Sequence, residues 1–239
     1  MEISIAVAKT NKYASSESGD TLEFVERPNG GVSVVLADGQ TSGRGAKSIS
    51  MMVVRKVISL LAEGVRDGAA ARAASDTLYA ERNGKVTATL NILSADLQTG
   101  TLVITRNNPT PVFIARGDTV ECISTVSQSI GTSKNIRPSI TEFQLESGIT
   151  IVIYTDGIKN AGDRTGQAID LCTLLEALLE DQQPTSQLIA DTVLNQAIRL
   201  DQGRPNDDMS VVALRVEPEE TDQIRRMSLR LPVPSTYSY

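Results

Sequence analysis

The feature that most constrains this chain is the way its helical stretches are grouped. Apolar residues recur at three-to-four spacing through Ala46, Ile49, Val53, Val57, Leu60 and Leu61, so a helix runs to about Glu63, where Gly64 stops it. An Ala-rich helix follows over about Arg66–Glu81, closed by Asn83-Gly84. A second pair covers about Gln167–Asp181 and Thr185–Leu200, with Pro184 between them. The remaining periodic stretches read as strands: Ile3–Ala8, Thr21–Arg27, Val32–Ala37, Val86–Ala95, Thr101–Thr105, Pro111–Arg116, Thr119–Ser124, Ser139–Leu145, Ile149–Thr155 and Met209–Val216. Residues 125–138 are irregular. Turn signals such as Pro28-Asn29-Gly30-Gly31 and Gln98-Thr99-Gly100 join neighbouring strands as hairpins, which makes the pairing mostly antiparallel. Helices that come in two pairs, not one after each strand, argue against a doubly wound fold. The expected fold class is α+β: a four-layer α-β-β-α sandwich, two mostly antiparallel sheets flanked by helix pairs. One domain covers residues 1–216. The tail, 217–239, loses its period, carries three prolines and is expected to be partly disordered or to dock.

Composition removes whole classes of function. The chain has no histidine among its 239 residues. That excludes Ser-His-Asp hydrolysis, Cys-His proteases, HExxH zinc sites and phosphohistidine relays. Acid–base work falls to carboxylates, Lys, Tyr or a metal-activated water, and 29 acidic residues make a metal site the natural suspect. A net charge of -6 argues against a nucleic-acid partner. No segment is long and apolar enough to span a membrane, and Met1-Glu2-Ile3-Ser4 lacks the start of a signal peptide, so the expected compartment is the cytoplasm. Cys122 and Cys172 are isolated and are expected to be reduced core thiols.

The chemistry concentrates where apolar strands end. Val34-Val35-Leu36-Ala37 runs into Asp38-Gly39, and Ile149–Thr155 runs into Asp156-Gly157. Asp207-Asp208 stands just before the strand that starts at Met209, and Asp20 follows Ser18-Gly19. A single Asp-Gly is an ordinary turn. Several carboxylates at the ends of buried strands are what a hard cation such as Mg²⁺ or Mn²⁺ needs. Thr41–Ser48 follows a strand and ends in Lys-Ser, but it has Thr41 and Ala46 where a phosphate-cradling loop needs glycine.

In order and spacing, Leu36-Ala37-Asp38-Gly39, Tyr154-Thr155-Asp156-Gly157 and Asn206-Asp207-Asp208-Met209-Ser210 resemble the metal-dependent (PPM, type 2C-like) protein serine/threonine phosphatases. The branch most similar is the bacterial one of sporulation stage II E and sigma-regulator phosphatases. Ser18-Gly19-Asp20 matches its upstream Gly-Asp, and Gly43-Arg44-Gly45-Ala46 its glycine-rich entry to the first helix. The resemblance covers about residues 10–216.

This resemblance implies two Mn²⁺ or Mg²⁺ ions, with a third as a variant, and a catalytic role for Asp38 and Asp20. It makes Asp38 the carboxylate shared by both metals and gives the Gly39 carbonyl to one of them. Asp156 and Asp207 would hold the metal opposite Asp20. Asp208 is the less certain member of its pair, with a supporting or a third-metal role as the alternatives, and which of Asp207 and Asp208 ligates directly is left open. The implied substrate is phosphoserine or phosphothreonine on a bacterial signalling protein, an anti-sigma antagonist or stressosome-type partner, with no nucleic acid and no membrane involved. Oligomeric state is not specified. The alternative is a phosphatase-fold binding module without turnover, which retention of every aspartate argues against. Asn107-Asn108 stands where many relatives carry His. No match exists for the N-terminal Arg that grips phosphate in eukaryotic relatives, and Lys9, Lys12 and Arg44 are the available substitutes. No N-terminal sensor domain is expected, and the helices over 43–81 are the expected place for a regulatory partner to act.

Overall fold

The computed structural model describes residues 1–117, 119–180, 183–218 and 224–232. Strands β1 (Glu2–Thr10), β10 (Met209–Glu217), β9 (Ile149–Tyr154), β6 (Val112–Arg116) and β7 (Thr119–Ile123) lie in that order in one sheet. Strands β2 (Asp20–Glu26), β3 (Val32–Gly39), β4 (Ala88–Asp96), β5 (Thr101–Asn107) and β8 (Ser139–Gln144) make the other. Every described ladder is antiparallel.

The period of two explains the layering, because successive strand side chains point to opposite faces. In β3, Val34 and Leu36 face the other sheet while Val35 and Ala37 face helices. In β10, Val212 and Leu214 face the inter-sheet core while Val211 and Ala213 face outward to the opposite helix pair. Central strands buried on both faces read as nearly continuous apolar runs, which is how β3, β9 and β10 stand out in the sequence.

Helices α1 (Gly43–Ala62) and α2 (Asp67–Arg82) cover the β2–β8 sheet through Val53, Val57, Leu61, Ala71, Ala74 and Leu78. A short α3 (Asp156–Lys159) and a 3-10 turn at Asp163–Thr165 follow β9. Helices α4 (Leu171–Glu180) and α5 (Ser186–Leu200) cover the other sheet through Leu171, Leu175, Ile189, Val193 and Ala197. The four-layer sandwich is therefore as expected.

Local differences have local causes. The expected helix from Gln167 begins four residues later, because Asp170 accepts hydrogen bonds from the Thr173 backbone N–H at 3.1 Å and its hydroxyl at 2.8 Å and so starts the helix. Its expected last residue, Asp181, lies outside the described residues. Asp156-Gly157 opens a helical turn instead of an ordinary one, with the carboxylate at the favourable positive end. The two cysteines are free as expected, but only one touches the core: Cys172 on α4 is half-buried against it, whereas Cys122 is exposed on the edge strand β7. Of the tail, residues 224–232 are exposed and carry no regular structure, and Arg225 reaches back to Glu26 at 3.1 Å and to the Gly30 carbonyl at 2.6 Å. Residues 219–223 and 233–239 lie outside the described residues.

Leu61 is fully buried between α1 and its sheet. Leu61→Ala is expected to lower stability by about 2–5 kcal/mol, read as a shift of the urea midpoint at unchanged slope. A loss below about 1 kcal/mol would mean that this helix pair is loosely packed.

Candidate functional site

Four strand ends meet at one pole of the sandwich. Asp20 at the start of β2 sits opposite Asp38 in the β2–β3 register. Asp156 follows β9, Asp207 and Asp208 precede β10, and β9 and β10 are paired through Tyr154 and Val211. Hydroxyls join the two sheets here. Ser210 donates to Asp20 Oδ2 at 2.6 Å and Thr155 donates to the same oxygen at 3.0 Å. The Lys9 and Lys47 ammonium groups both donate to the Asp20 backbone carbonyl, at 2.7 and 2.8 Å.

Asp38, Gly39, Asp156 and Asp207 line a cleft of ≈ 430 Å³ together with Lys12, hydroxyl residues and Pro109. Asp20 does not line it; its side chain is fully buried beneath, and Asp20 Oδ1 has no hydrogen-bond partner. The two members of the acidic pair have different tasks. Asp208 spends one oxygen on the Lys12 backbone N–H at 2.9 Å and the other on the Gly19 N–H at 2.7 Å. It is a clamp on the loop before β2, whereas Asp207 faces the cleft.

Two glycines let the aspartates sit so close. A Cβ on Gly39 would lie 2.1 Å from the Ala46 carbonyl oxygen at the start of α1. A Cβ on Gly157 would lie 2.1 Å from the Asp208 carbonyl oxygen. Neither gap admits a side chain, so each Asp-Gly pair is a packing requirement.

The electrostatics follow from crowding. Burial, then the charges of Asp20 and Asp156, push the Asp38 carboxyl up to about 10. The neighbouring Asp156 carboxyl adds to the rise at Asp38. Burial raises Asp20 to about 7 against the opposing Ser210 bond. Asp207 is also raised, chiefly by burial. Burial lowers the Lys9 ammonium, with Asp20 opposing.

Several supporting residues were not legible in the sequence. Asp201 accepts from Gly162 N–H at 2.9 Å and from the Asn206 backbone N–H at 2.7 Å, holding the loop after α3 beside the residue before Asp207. Arg106 is fully buried and donates to the carbonyls of Thr110 and Thr125, both at 2.8 Å, which fixes the two loops that bring Pro109 and Ser129 to the cleft. Asn107 and Asn108 bond the Gln128 and Tyr154 carbonyls and so brace the same rim. The available signal was polar residues inside apolar strands, which in a folded chain demand partners. Of the three cations considered for phosphate, Lys12 lines the cleft, Lys9 turns to the Asp20 carbonyl, and Arg44 is almost wholly exposed.

The donor set suits a hard divalent cation. It is all oxygen, it carries an orphaned buried carboxylate oxygen at Asp20, and the mutual repulsion at Asp38 is of the kind a cation relieves. Among the described residues no three acidic groups are gathered closely enough to form a finished cage.

The sequence profile described as Stage II sporulation protein E (SpoIIE) matches residues 28–217. Stage II sporulation protein E of Priestia megaterium is 24% identical over 215 residues, covering 90% of this chain and 36% of that protein. Its counterpart in Bacillus subtilis (strain 168) is 26% identical over 216 residues, covering 90% of this chain and 26% of that protein. The chain thus spans about a third or less of the length of these relatives. The structure of the PP2C phosphatase domain of SpoIIE from Bacillus subtilis, with a fragment of its regulatory domain, superposes with a TM-score of 0.78 at 23% identity over 92% of this chain and 64% of that one. A PstP catalytic domain in complex with two manganese ions (TM-score 0.68, 17% identity, 90% and 98% coverage) has the same fold. So does RsbX in complex with magnesium (TM-score 0.68, 16% identity, 90% and 96% coverage). The fold is that of the PP2C-type phosphatases.

The raised carboxyls fix the sign of a pH effect. Both bind protons more tightly folded than unfolded, so their cost to stability is absent below the unfolded value of about 4 and grows as pH rises, through about 7 for Asp20 and about 10 for Asp38. In chelator, Tm is expected to fall steadily from about pH 5 to about pH 9. Excess Mn²⁺ is expected to remove most of that slope, since its charge replaces the protons. A flat Tm–pH curve in chelator would show that the cluster carries no such strain.

Proposed function

The chain belongs to the stage II sporulation protein E (SpoIIE) family, and from that premise we propose that it hydrolyses phosphoserine or phosphothreonine on a bacterial signalling protein with the help of two Mn²⁺ or Mg²⁺ ions. The observation that carries this reading is the convergence of Asp38, Gly39, Asp156 and Asp207 on one polar cleft. In this reading Asp38, the Gly39 carbonyl, Asp156 and Asp207 would hold the ions from the cleft, and the unpartnered oxygen of Asp20 would complete the set from beneath. Such cations, when bound, make water nucleophilic near neutral pH and neutralise phosphoryl charge, which a site without histidine otherwise lacks.

The chain's own residues do the rest. Lys12 is the cation at the cleft wall, and its charge is felt at Asp207. It is placed to take a phosphoryl oxygen in a charge-assisted hydrogen bond. Thr41, Ser42, Thr87, Thr89 and Ser129 line the same cleft with hydroxyls suited to phosphate. Lys9 and Lys47 pin the backbone of Asp20, and Asp208 pins the loop that carries Lys12. The substrate class we infer, an anti-sigma antagonist or stressosome-type phosphoprotein, follows from the family branch. A cytoplasmic setting accords with it; no described helix is long and apolar enough to cross a membrane.

The decisive experiment is hydrolysis of p-nitrophenyl phosphate with and without Mn²⁺. Wild-type turnover is expected to require the metal, and Asp38→Asn is expected to lose orders of magnitude in kcat. Metal-independent turnover, or an unimpaired Asp38→Asn variant, would overturn the mechanism, and absence of turnover on any phosphoprotein would leave a binding module.

Lys12→Met separates substrate binding from metal binding. It is expected to raise KM roughly tenfold, the worth of one charge-assisted hydrogen bond, with Mn²⁺ affinity unchanged by calorimetry. An unchanged KM would remove Lys12 from the phosphate site.

A further inference from the structure

A second concavity, ≈ 770 Å³ against ≈ 430 Å³ for the cleft, runs along the outer face of α1. Arg44, Lys47, Met51 and Arg55 recur there at helical spacing, so they form one stripe, with Met52 and Lys56 beside it. Four cations face two carboxylates, Glu17 and Glu81, which leaves the groove at +2 in a chain whose net charge is -6. Arg55 and Lys56 have no carboxylate within ion-pair distance among the described residues, and Arg44 has only Glu17 at 3.9 Å.

The groove starts where the cleft ends. Ser42, the residue just before α1, lines the cleft, and Arg44, two residues on, lines the groove. Lys47 belongs to the groove wall yet reaches the Asp20 carbonyl beneath the cleft. From Arg44 to Ser59 the helix rises about 22 Å, the span of six or seven extended residues.

We propose that this groove docks an acidic, extended segment flanking the phosphorylated residue of the protein substrate. Carboxylates within about seven positions of the phosphorylated residue meet Arg44, Arg55 and Lys56. Met51 and Met52 give a pliable apolar floor for an intervening side chain. A peptide fits better than a nucleic acid, because the acidic surface beyond the groove repels a long polyanion. The alignment of groove with cleft rests on the phosphatase reading; the docking itself needs no turnover.

The test is fluorescence anisotropy of a labelled, unphosphorylated acidic peptide of about ten residues with the full chain, beside p-nitrophenyl phosphate turnover of the same preparations. Binding is expected to weaken as salt rises and to drop at least tenfold in the Arg55→Glu/Lys56→Glu double variant, with turnover of the small substrate unchanged. Both positions lie at the helix surface, so the variant is expected to fold. Equal affinity in wild type and variant, equal affinity for a neutral peptide of the same length, or displacement of the acidic peptide by a stoichiometric DNA oligonucleotide would overturn the proposal. Charge-reversible binding without any turnover would sustain the docking groove and sink the phosphatase reading instead.

Discussion

Burial of Asp20, Asp38 and Asp207 at neighbouring strand ends, with one carboxyl close to the next, is the constraint to which the rest of the structure answers. Each carboxylate sits at a strand end, half or wholly out of water, within reach of another negative charge. Nothing local would hold them there. The inter-sheet layer of Val34, Leu36, Ile151, Ile153, Val212 and Leu214 fixes the strands, and the strands fix their ends. Gly39 and Gly157 then allow backbone to press against backbone with no side chain between. Two lysines hold the carbonyl of Asp20, and two hydroxyls hold its side chain. Packing thus stabilises a cluster that electrostatics alone would scatter.

The same logic explains what was legible beforehand. Strands buried on both faces announce themselves as apolar runs, and each Asp-Gly is adjacent in sequence to the run it ends, so the four-layer fold and the set Asp38, Asp156 and Asp207 could be read directly. The division of labour between Asp207 and Asp208 could not. It is decided by the N–H groups of Lys12 and Gly19, 196 and 189 positions away. Asp20 reads as one more acidic strand end, and only the register with Asp38 and the hydroxyls of Thr155 and Ser210 show it to lie beneath the cleft. Asp201 and Arg106 are invisible for a similar reason, since their partners are mostly backbone atoms with no sequence signature. Cys122 misled because an isolated thiol is usually buried, and an edge strand is an exception that sequence does not mark.

Charge is also distributed with a direction. The chain is acidic as a whole, yet α1 carries a cationic stripe that ends beside the carboxylate cleft. A single helix therefore borders two opposite electrostatic environments. Its first turn is sealed against Gly39 through Ala46, so any displacement of α1 is felt at the strand end that carries Asp38.

The pairing of β1 with β10 carries a consequence for the chain's history on the ribosome. The first strand lies against the last over nine aligned pairs, and Asp20 receives a hydroxyl from a residue 190 positions later. The sheet that carries α1 and α2 can assemble from earlier residues alone, but the carboxylate cluster cannot. Synthesis runs at about 5–20 residues per second, so the first half of the sandwich, complete at β8, waits roughly 3–13 seconds with Asp20 and Asp38 in register and no Asp207 to face them. Whatever chemistry the cluster performs is withheld from every nascent form, and from any form cut short before the last strand, and it arrives in one step when that strand docks.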